Sequence, residues 1–481
     1  MPASRFGDMA PEAFRREAHR LADWIADYLT DPSRYPVLAR VAPGDIVSQL
    51  PSEAPAHGES FDAIFADFET IILPGITHWN HPGFFAYFAI TGSGPGILAE
   101  FLSAALNQQA MLWRTSPSAT ELEQVTLGWL RRLLHLPDTF EGVIYDTASI
   151  STLHALAAAR ERAIPGVRSE GLGDSRYAIY CSDQTHSSID KSVILLGFGH
   201  AALRRIPSDG DFRMRVDALR SAIENDRAAG VRPVAVVATV GSTSTTSVDP
   251  LNEIAALCAG HDIWLHVDAA YAGVAAMVPG HEHLLDGAAT ADSLVVNPHK
   301  WLFTPFDASV LYCRDMETLR AAFSLVPEYL KTTDPGGVRN LMDTGIQLGR
   351  RFRALKLWMV IRHFGAEGLQ TRIAEHMRLA QVFAGWVDES PTFERLAPVP
   401  FSVVCFRARP SEGGTDAEID EINERLLDIV NRSGEIFVSH TRLNGRFAIR
   451  LAIGNLHTTA QHVARAWELL NAGLAEASRL H

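Results

Sequence analysis

Between Gly142 and Cys313 the sequence alternates short apolar runs with longer helical patterns, and this alternation limits the fold more than any other feature. The runs are Val143–Tyr145, Tyr177–Cys181, Pro233–Val240, Ile263–Val267, Ser293–Asn297 and Ser309–Tyr312. Short apolar runs without polar alternation read as strands buried on both faces. Between them, Ser149–Ala163 and Val216–Ala229 have helical spacing. The expected fold is therefore α/β, with a mostly parallel sheet covered by helices. Such sheets bind ligands beyond the carboxyl ends of their strands, so the residues just after each run matter most.

The flanks read differently. Pro11–Leu29 places Phe14, Ala18, Leu21, Ile25, Tyr28 and Leu29 on one helical face and Arg15, Arg16, His19 and Arg20 on the other. That apolar stripe needs a second surface, from this chain or from another subunit. A broken Pro- and Ala-rich stretch follows, then the aromatic run His81 to Phe88 and the glycine cluster Gly92 to Gly96, which reads as a turn. Ser118–Leu134 reads as a helix, and Val326–Val338 as a polar segment suited to a mobile lid. Asn340–Phe364 and Glu367–Val387 read as long helices. Pro400–Ala408, Gly434–Ser439 and Arg446–Ile453 alternate with the helices Asp416–Asn431 and Thr458–Leu474, the rhythm of a small α+β domain. The expected division is an N-terminal helical segment over 1–80, a large α/β domain over 81–360 and a small C-terminal domain over 361–481.

Composition removes several alternatives. The 481 residues carry 43 basic and 56 acidic side chains, a net charge of −13, whereas a nucleic-acid binder needs a basic face. No N-terminal apolar core of signal-peptide length is present, and no later run is long enough to span a bilayer. The expected setting is cytoplasmic, with no membrane partner. Cys181, Cys258, Cys313 and Cys405 form no CxxC pair and sit in apolar runs, as reduced structural thiols do. His281-Glu282-His283 lacks a third ligand at metal spacing, so no metal is expected.

The chemistry lies at the ends of the apolar runs. Ala148-Ser149 open a helix, where free amides and a hydroxyl serve either as a plain N-cap or as an anion site. His186, in the segment Asp183 to Ser188, can be a base, a stacking group or a solvated loop residue. Thr243 lies in the hydroxyl-rich turn Gly241 to Thr246. Asp268 closes a strongly apolar run, so its carboxylate is expected to be buried and to need a partner, in a structural ion pair or in a site. Lys300, in Asn297-Pro298-His299-Lys300-Trp301, closes the next run; burial lowers a lysine pKa and makes the amine nucleophilic. None of these is diagnostic alone. In this order along one α/β pattern they meet the needs of pyridoxal phosphate. The lysine serves the aldehyde, the acid the pyridine nitrogen, the histidine the ring face and the helix start the phosphate.

Four motifs also carry a resemblance. They are His266-Val267-Asp268-Ala269-Ala270-Tyr271-Ala272-Gly273, Asn297 to Trp301, Leu348-Gly349-Arg350-Arg351-Phe352-Arg353, and Trp113 through Glu123. With them the chain resembles, nearly end to end, the group II pyridoxal-phosphate-dependent decarboxylases, and among these the aromatic-L-amino-acid decarboxylases. The resemblance implies a fold-type I enzyme, acting as a homodimer with shared active sites. It implies that Lys300 is the Schiff-base lysine, Asp268 the partner of the pyridine nitrogen and His186 the residue stacked on the ring. Ala148, Ser149, Thr243, Ala270, Asn297 and His299 correspond to cofactor contacts. Tyr329 corresponds to the lid tyrosine that returns a proton after carbon dioxide leaves.

Relatives that form aldehydes carry Phe at the lid position or Asn in place of the histidine. Tyr329 and His186 therefore favour simple decarboxylation over an aldehyde synthase. Gly349 matches the small residue of members that accept indole and catechol rings. It points to tryptophan or a related substrate: tyrosine, phenylalanine, dopa or 5-hydroxytryptophan. A decarboxylase of acidic amino acids, which should want a cationic pocket, is the further alternative. The chain departs from the pattern of the animal enzymes at Ala89-Ile90, where those have Pro-Thr, and at Asp146-Thr147 and Ile150-Ser151 beside the phosphate helix.

Overall fold

The computed structural model describes residues 7–325, 338–409 and 414–480. Among them the strands are β1 (Phe84–Phe85), β2 (Glu141–Tyr145), β3 (Arg176–Ser182), β4 (Leu203–Ile206), β5 (Val231–Thr239) and β6 (Trp264–Asp268). They continue as β7 (Ser293–Val296), β8 (Ser309–Cys313), β9 (Phe393–Arg395), β10 (Val403–Ala408), β11 (Phe437–Leu443) and β12 (Arg446–Ala452). The larger sheet has the order β2-β8-β7-β6-β5-β3-β4. From β7 to β4 all neighbours are parallel, while β8 runs antiparallel to both β7 and β2. The mostly parallel sheet expected from the apolar runs is present, with one reversed strand. β8 reverses because the chain returns to it through the single helical turn Pro298–Trp301, too short for a parallel crossover.

Every position of β6, β7 and β8 is buried, so the sheet needs cover on both faces. Along β5 the side chains alternate: Val237 packs with Ala155 and Ile189 on one side, and Val236 and Ala238 with Leu219 and Ile254 on the other. The helix Ala148–Ala163 supplies the first side with Ala155, Ala157, Ala158 and Ala159, small residues that let it lie close to the sheet. A second sheet, β1-β11-β12-β10-β9, is antiparallel apart from the β1–β11 pair. Its apolar face packs against Asp416–Arg432, Ala460–Ala477 and the later part of Ala354–Glu389. All four cysteines are free and buried.

The aromatic run forms a strand: Phe84, Phe85 and Ala86 are fully buried because β1 joins the C-terminal sheet beside Phe437 and Val438. Two local readings change. The glycine cluster does not end in a turn but opens the helix Gly94–Leu106, with Pro95 in the first helical turn where its missing N–H is not needed. The helix expected from Asn340 begins only at Ala354; the expected break between it and the next helix is present, at Gly365, whose φ of +65° suits glycine. Before it, Arg350 holds the chain in an irregular path, pairing with buried Glu123 at 2.7 Å and donating to the Ile144 carbonyl at 2.9 Å. The segment Val326–Val338, expected as a lid, lies outside the described residues, apart from Val338.

Burial pushes His81, His154, His266 and His376 down to about 4. An unfolded chain protonates histidine near pH ~6.5, so between there and about 4 the unfolded state binds more protons than the folded one. The stability from these rings is fully present above that window and is lost as the pH falls through it. Calorimetry should find Tm falling across the window with proton uptake on unfolding. His376→Gln, which keeps an acceptor for the Trp301 Nε1–H, should soften the fall. A Tm that does not change with pH there would contradict this.

Candidate active site

The carboxyl ends of β5, β6 and β7 and the start of the helix Ala148–Ala163 enclose a cavity of about 450 Å³, in the size range of small-molecule sites. Ala148, Ser149, His186, Thr243, Asp268, Ala270, Asn297, His299 and Lys300 all line it. Tyr329 lies outside the described residues.

Strand register gathers these groups. Thr239 of β5 pairs with Asp268 of β6, and Asp268 with Val295 of β7. Beyond the ladder, the Asn297 amide donates to the Ala270 carbonyl at 3.0 Å and the Lys300 amide to the Asn297 carbonyl at 2.9 Å. Pro298 ends the strand and opens the turn that carries Lys300. Enclosure by protein holds the Lys300 amine below the ordinary lysine range; Asp268 opposes that shift and Arg450 adds to it. A shift in this direction makes a lysine amine more nucleophilic. Asp268 is 8% exposed, with Oδ1 accepting from the Ala270 amide at 3.1 Å.

Both site histidines have Nδ1 tied to a backbone amide. His186 Nδ1 accepts from the Ser188 amide at 3.1 Å, and His299 Nδ1 from the Ala308 amide at 2.9 Å. An accepting nitrogen carries no proton, so each neutral ring keeps its proton on Nε2. Burial pushes His299 down to about 3, with the Lys300 charge adding to it. Burial also lowers His186, against a partial opposing effect of Asp268. At neutral pH the two rings are uncharged N–H donors.

Among the described residues, three buried polar atoms of the wall have no hydrogen-bond partner: Thr239 Oγ1, Asn297 Oδ1 and Arg450 Nη2. The first amides of Ala148–Ala163 likewise have no intrahelical partner, as at any helix start. Buried groups of this kind call for a ligand with several polar atoms, and pyridoxal phosphate fits them. The amides at Ala148 and Ser149, the Thr243 hydroxyl and His299 Nε2–H are available to the phosphate. Asp268 is available to the ring nitrogen, His186 and Ala270 to the ring faces, and Lys300 to the aldehyde.

Sequence reasoning missed Thr239, the Ser439–Thr441 strip and above all Arg450, which the second sheet sends into the same wall. Arg450 did leave a signal, a charge inside the apolar strand β12 whose later positions are all buried. Gly349, matched above to the small residue of members that accept indole and catechol rings, does not line this cavity. The nearest atom to a Cβ placed there is Nε2 of Gln109, at 3.5 Å, and the neighbouring Ile346 and Leu348 are exposed.

Geometry of this kind puts the chain among the pyridoxal-phosphate enzymes, and comparison with known proteins narrows that class. Residues 43–409 match the pyridoxal-dependent decarboxylase conserved domain. The chain is 40% identical to tryptophan decarboxylase TDC1 of Camptotheca acuminata, across 98% of this chain and 96% of that protein. It is 41% identical to a phenylacetaldehyde synthase of Arabidopsis thaliana, across 96% of each. The crystal structure of Oryza sativa TDC with PLP and tryptamine superposes with a TM-score of 0.95 at 38% identity, covering 98% of this chain and 99% of that one. The protein belongs to the pyridoxal-dependent decarboxylases.

Two substitutions separate the roles of the strand-end groups. Lys300→Ala should lose the visible absorbance of the lysine-linked cofactor, read by spectrophotometry. Asp268→Asn should keep bound cofactor and lose turnover by about a hundredfold or more, the scale of losing one electrostatic partner in a site. Full turnover in Asp268→Asn would remove its assigned role.

Proposed function

We propose that this enzyme decarboxylates an aromatic L-amino acid to the arylalkylamine and carbon dioxide. One observation carries the reading: the polar strand-end groups and the apolar side chains of Trp79, Tyr87, Phe88, Ile90 and Phe306 line the same cavity. An α-carboxylate suits the first set and an aromatic ring the second. The tryptophan decarboxylase relative supports the same substrate class.

When bound, pyridoxal phosphate supplies the electron sink for the charge left behind by carbon dioxide. Asp268 keeps a proton on the pyridine nitrogen. His186 Nε2–H and Arg450 Nη2 offer donors to the substrate carboxylate and orient the bond to be broken. Lys300 holds the cofactor before substrate arrives and, as a neutral amine, frees the product. Tyr329, in the lid segment 326–338, returns a proton to the α carbon.

Aldehyde formation is the second reading, favoured by the phenylacetaldehyde synthase relative. Tyr329 and His186 weigh against it, because both residues of the simple decarboxylases are retained. For an acidic substrate the cavity offers only Lys300 and Arg450 as cations among its described lining residues, and both already have tasks. A homodimer is part of the proposal. Phe14, Leu98, Phe101, Leu102 and Leu106 form an exposed apolar group on the helices Pro11–Thr30 and Gly94–Leu106, and Gly349 reaches no ligand in its own cavity. The proposed compartment is the cytoplasm, supported by the four buried free thiols. No helix among the described residues is long and apolar enough to cross a membrane.

Incubation with tryptophan, tyrosine, phenylalanine, dopa and glutamate should yield amine and carbon dioxide from at least one aromatic substrate and none from glutamate. Turnover of glutamate alone, or aldehyde with peroxide in place of amine, would overturn the reading. Tyr329→Phe should divert product from amine to aldehyde; undiminished amine would remove that role. Sedimentation should give the mass of two chains.

A further inference from the structure

We propose that Phe88, Arg450 and Lys300 form a cation–π–cation unit in which the ring and the guanidinium position the lysine amine. The inference rests on reading Lys300 as the cofactor-binding lysine. Lys300 Nζ lies 5.1 Å from the Phe88 ring centroid, and Arg450 Cζ lies 4.5 Å from it. One ring thus serves two cations.

That ring has little freedom. It stacks on Tyr271 at 3.8 Å, and Tyr271 stacks on Trp301 at 4.8 Å. Trp301 follows Lys300 in the chain and is itself fixed by donating from Nε1 to His376 Nδ1 at 2.9 Å. Lys300 is therefore held at both ends of one aromatic stack, through its backbone neighbour Trp301 and through its own ammonium end at Phe88. Arg450 is fixed without help from a ligand: Nε donates to the Ser244 carbonyl at 3.0 Å and Nη1 to the Tyr87 carbonyl. It is 4% exposed and pairs with no carboxylate among the described residues.

The titratable groups facing Lys300 are Asp268 from β6, His186 from the loop after β3, His299 from its own turn and Arg450 from β12. With both histidines neutral, Asp268 and Arg450 are the charges that act on it. A ring face favours a cation, and a buried guanidinium without a counter-charge opposes one. Phe88 and Arg450 therefore act on the Lys300 nitrogen with opposite sign, at a position that both define.

The test is a pH titration of the visible absorbance of holoenzyme without substrate. Phe88→Leu should lower the midpoint for protonation of the nitrogen that joins Lys300 to the cofactor, and Arg450→Met should raise it, each by about half to one pH unit. Phe88→Tyr and Arg450→Lys, which keep the ring and the charge, should stay near the wild-type midpoint. A purely structural role would move both midpoints the same way or neither, which would overturn the inference while leaving the cofactor reading intact. If Arg450→Met does not fold, the Phe88 pair decides, and an unshifted midpoint in Phe88→Leu refutes the unit. A wild-type protein without the visible band would overturn both this inference and the reading beneath it.

Discussion

The site depends on the register of β5, β6 and β7. In a sheet buried on both faces a slip of one residue exchanges the two faces, so Asp268 would turn into the helix layer and Val267 toward the cavity. Every position of β6 and β7 is buried, and the ladder of pairs from Ala235–Trp264 to Asp268–Val295 sets which residues face each layer. Hydrogen bonds carry the same register past the strand ends. Val240 donates to the Asp268 carbonyl at 2.9 Å, Ala269 to the Val295 carbonyl at 3.1 Å, and Asn297 to the Ala270 carbonyl at 3.0 Å. Asp268, Asn297 and Lys300 thus inherit their places from the core, although the residues that set those places are valines and leucines.

The electrostatics follow from how few charges the cavity keeps. His186 and His299 are held as neutral donors by the backbone amides on their Nδ1 atoms, so they contribute direction without charge. Among the fixed charges, Asp268 stands against Lys300 and Arg450. A buried cation with no partner is costly, and anionic groups brought by a ligand relieve that cost. A phosphate and an α-carboxylate are such groups. The balance also keeps Lys300 poised: Asp268 favours its ammonium, while enclosure and Arg450 favour the amine.

Much of this was legible in the sequence, for a physical reason. Every described residue expected in the site follows or ends an apolar run, and a parallel sheet brings such positions to one edge. What escaped depended on contacts distant in sequence. Two residues, Phe84–Phe85, are too short a signal for a strand, and their partner strand β11 lies far along the chain. Arg450 was visible as a charge in a strand, but nothing local tells that the second sheet presents it to the first. The motifs around Glu123 and Arg350 were each noticeable as patterns. Only the fold gives them a common cause: a buried ion pair, 2.7 Å long, between residues 227 positions apart.

The same ion pair bears on where selectivity lies. Arg350 is further fixed through its backbone, its amide donating to Gln109 Oε1 at 3.1 Å and its carbonyl accepting from Ala110 at 2.9 Å. Gly349 therefore sits on a rigid segment, beside the exposed side chains of Ile346 and Leu348. A segment held this firmly from within, yet apolar toward the outside, is suited to pack on another surface rather than to swing into its own cavity. In the proposed homodimer it would face a second copy, and the room left by the missing Gly349 side chain would belong to the neighbour's substrate. The aromatic end of the substrate would then be judged by two walls, Ile90 and its neighbours from one chain and the Gly349 segment from the other. The carboxylate end proposed above, built on strand ends and Arg450, takes its described residues from a single chain. On that proposal chemistry and selectivity are anchored to different parts of the fold, so the ring-binding end can vary while the strand register, and with it Lys300, stays fixed.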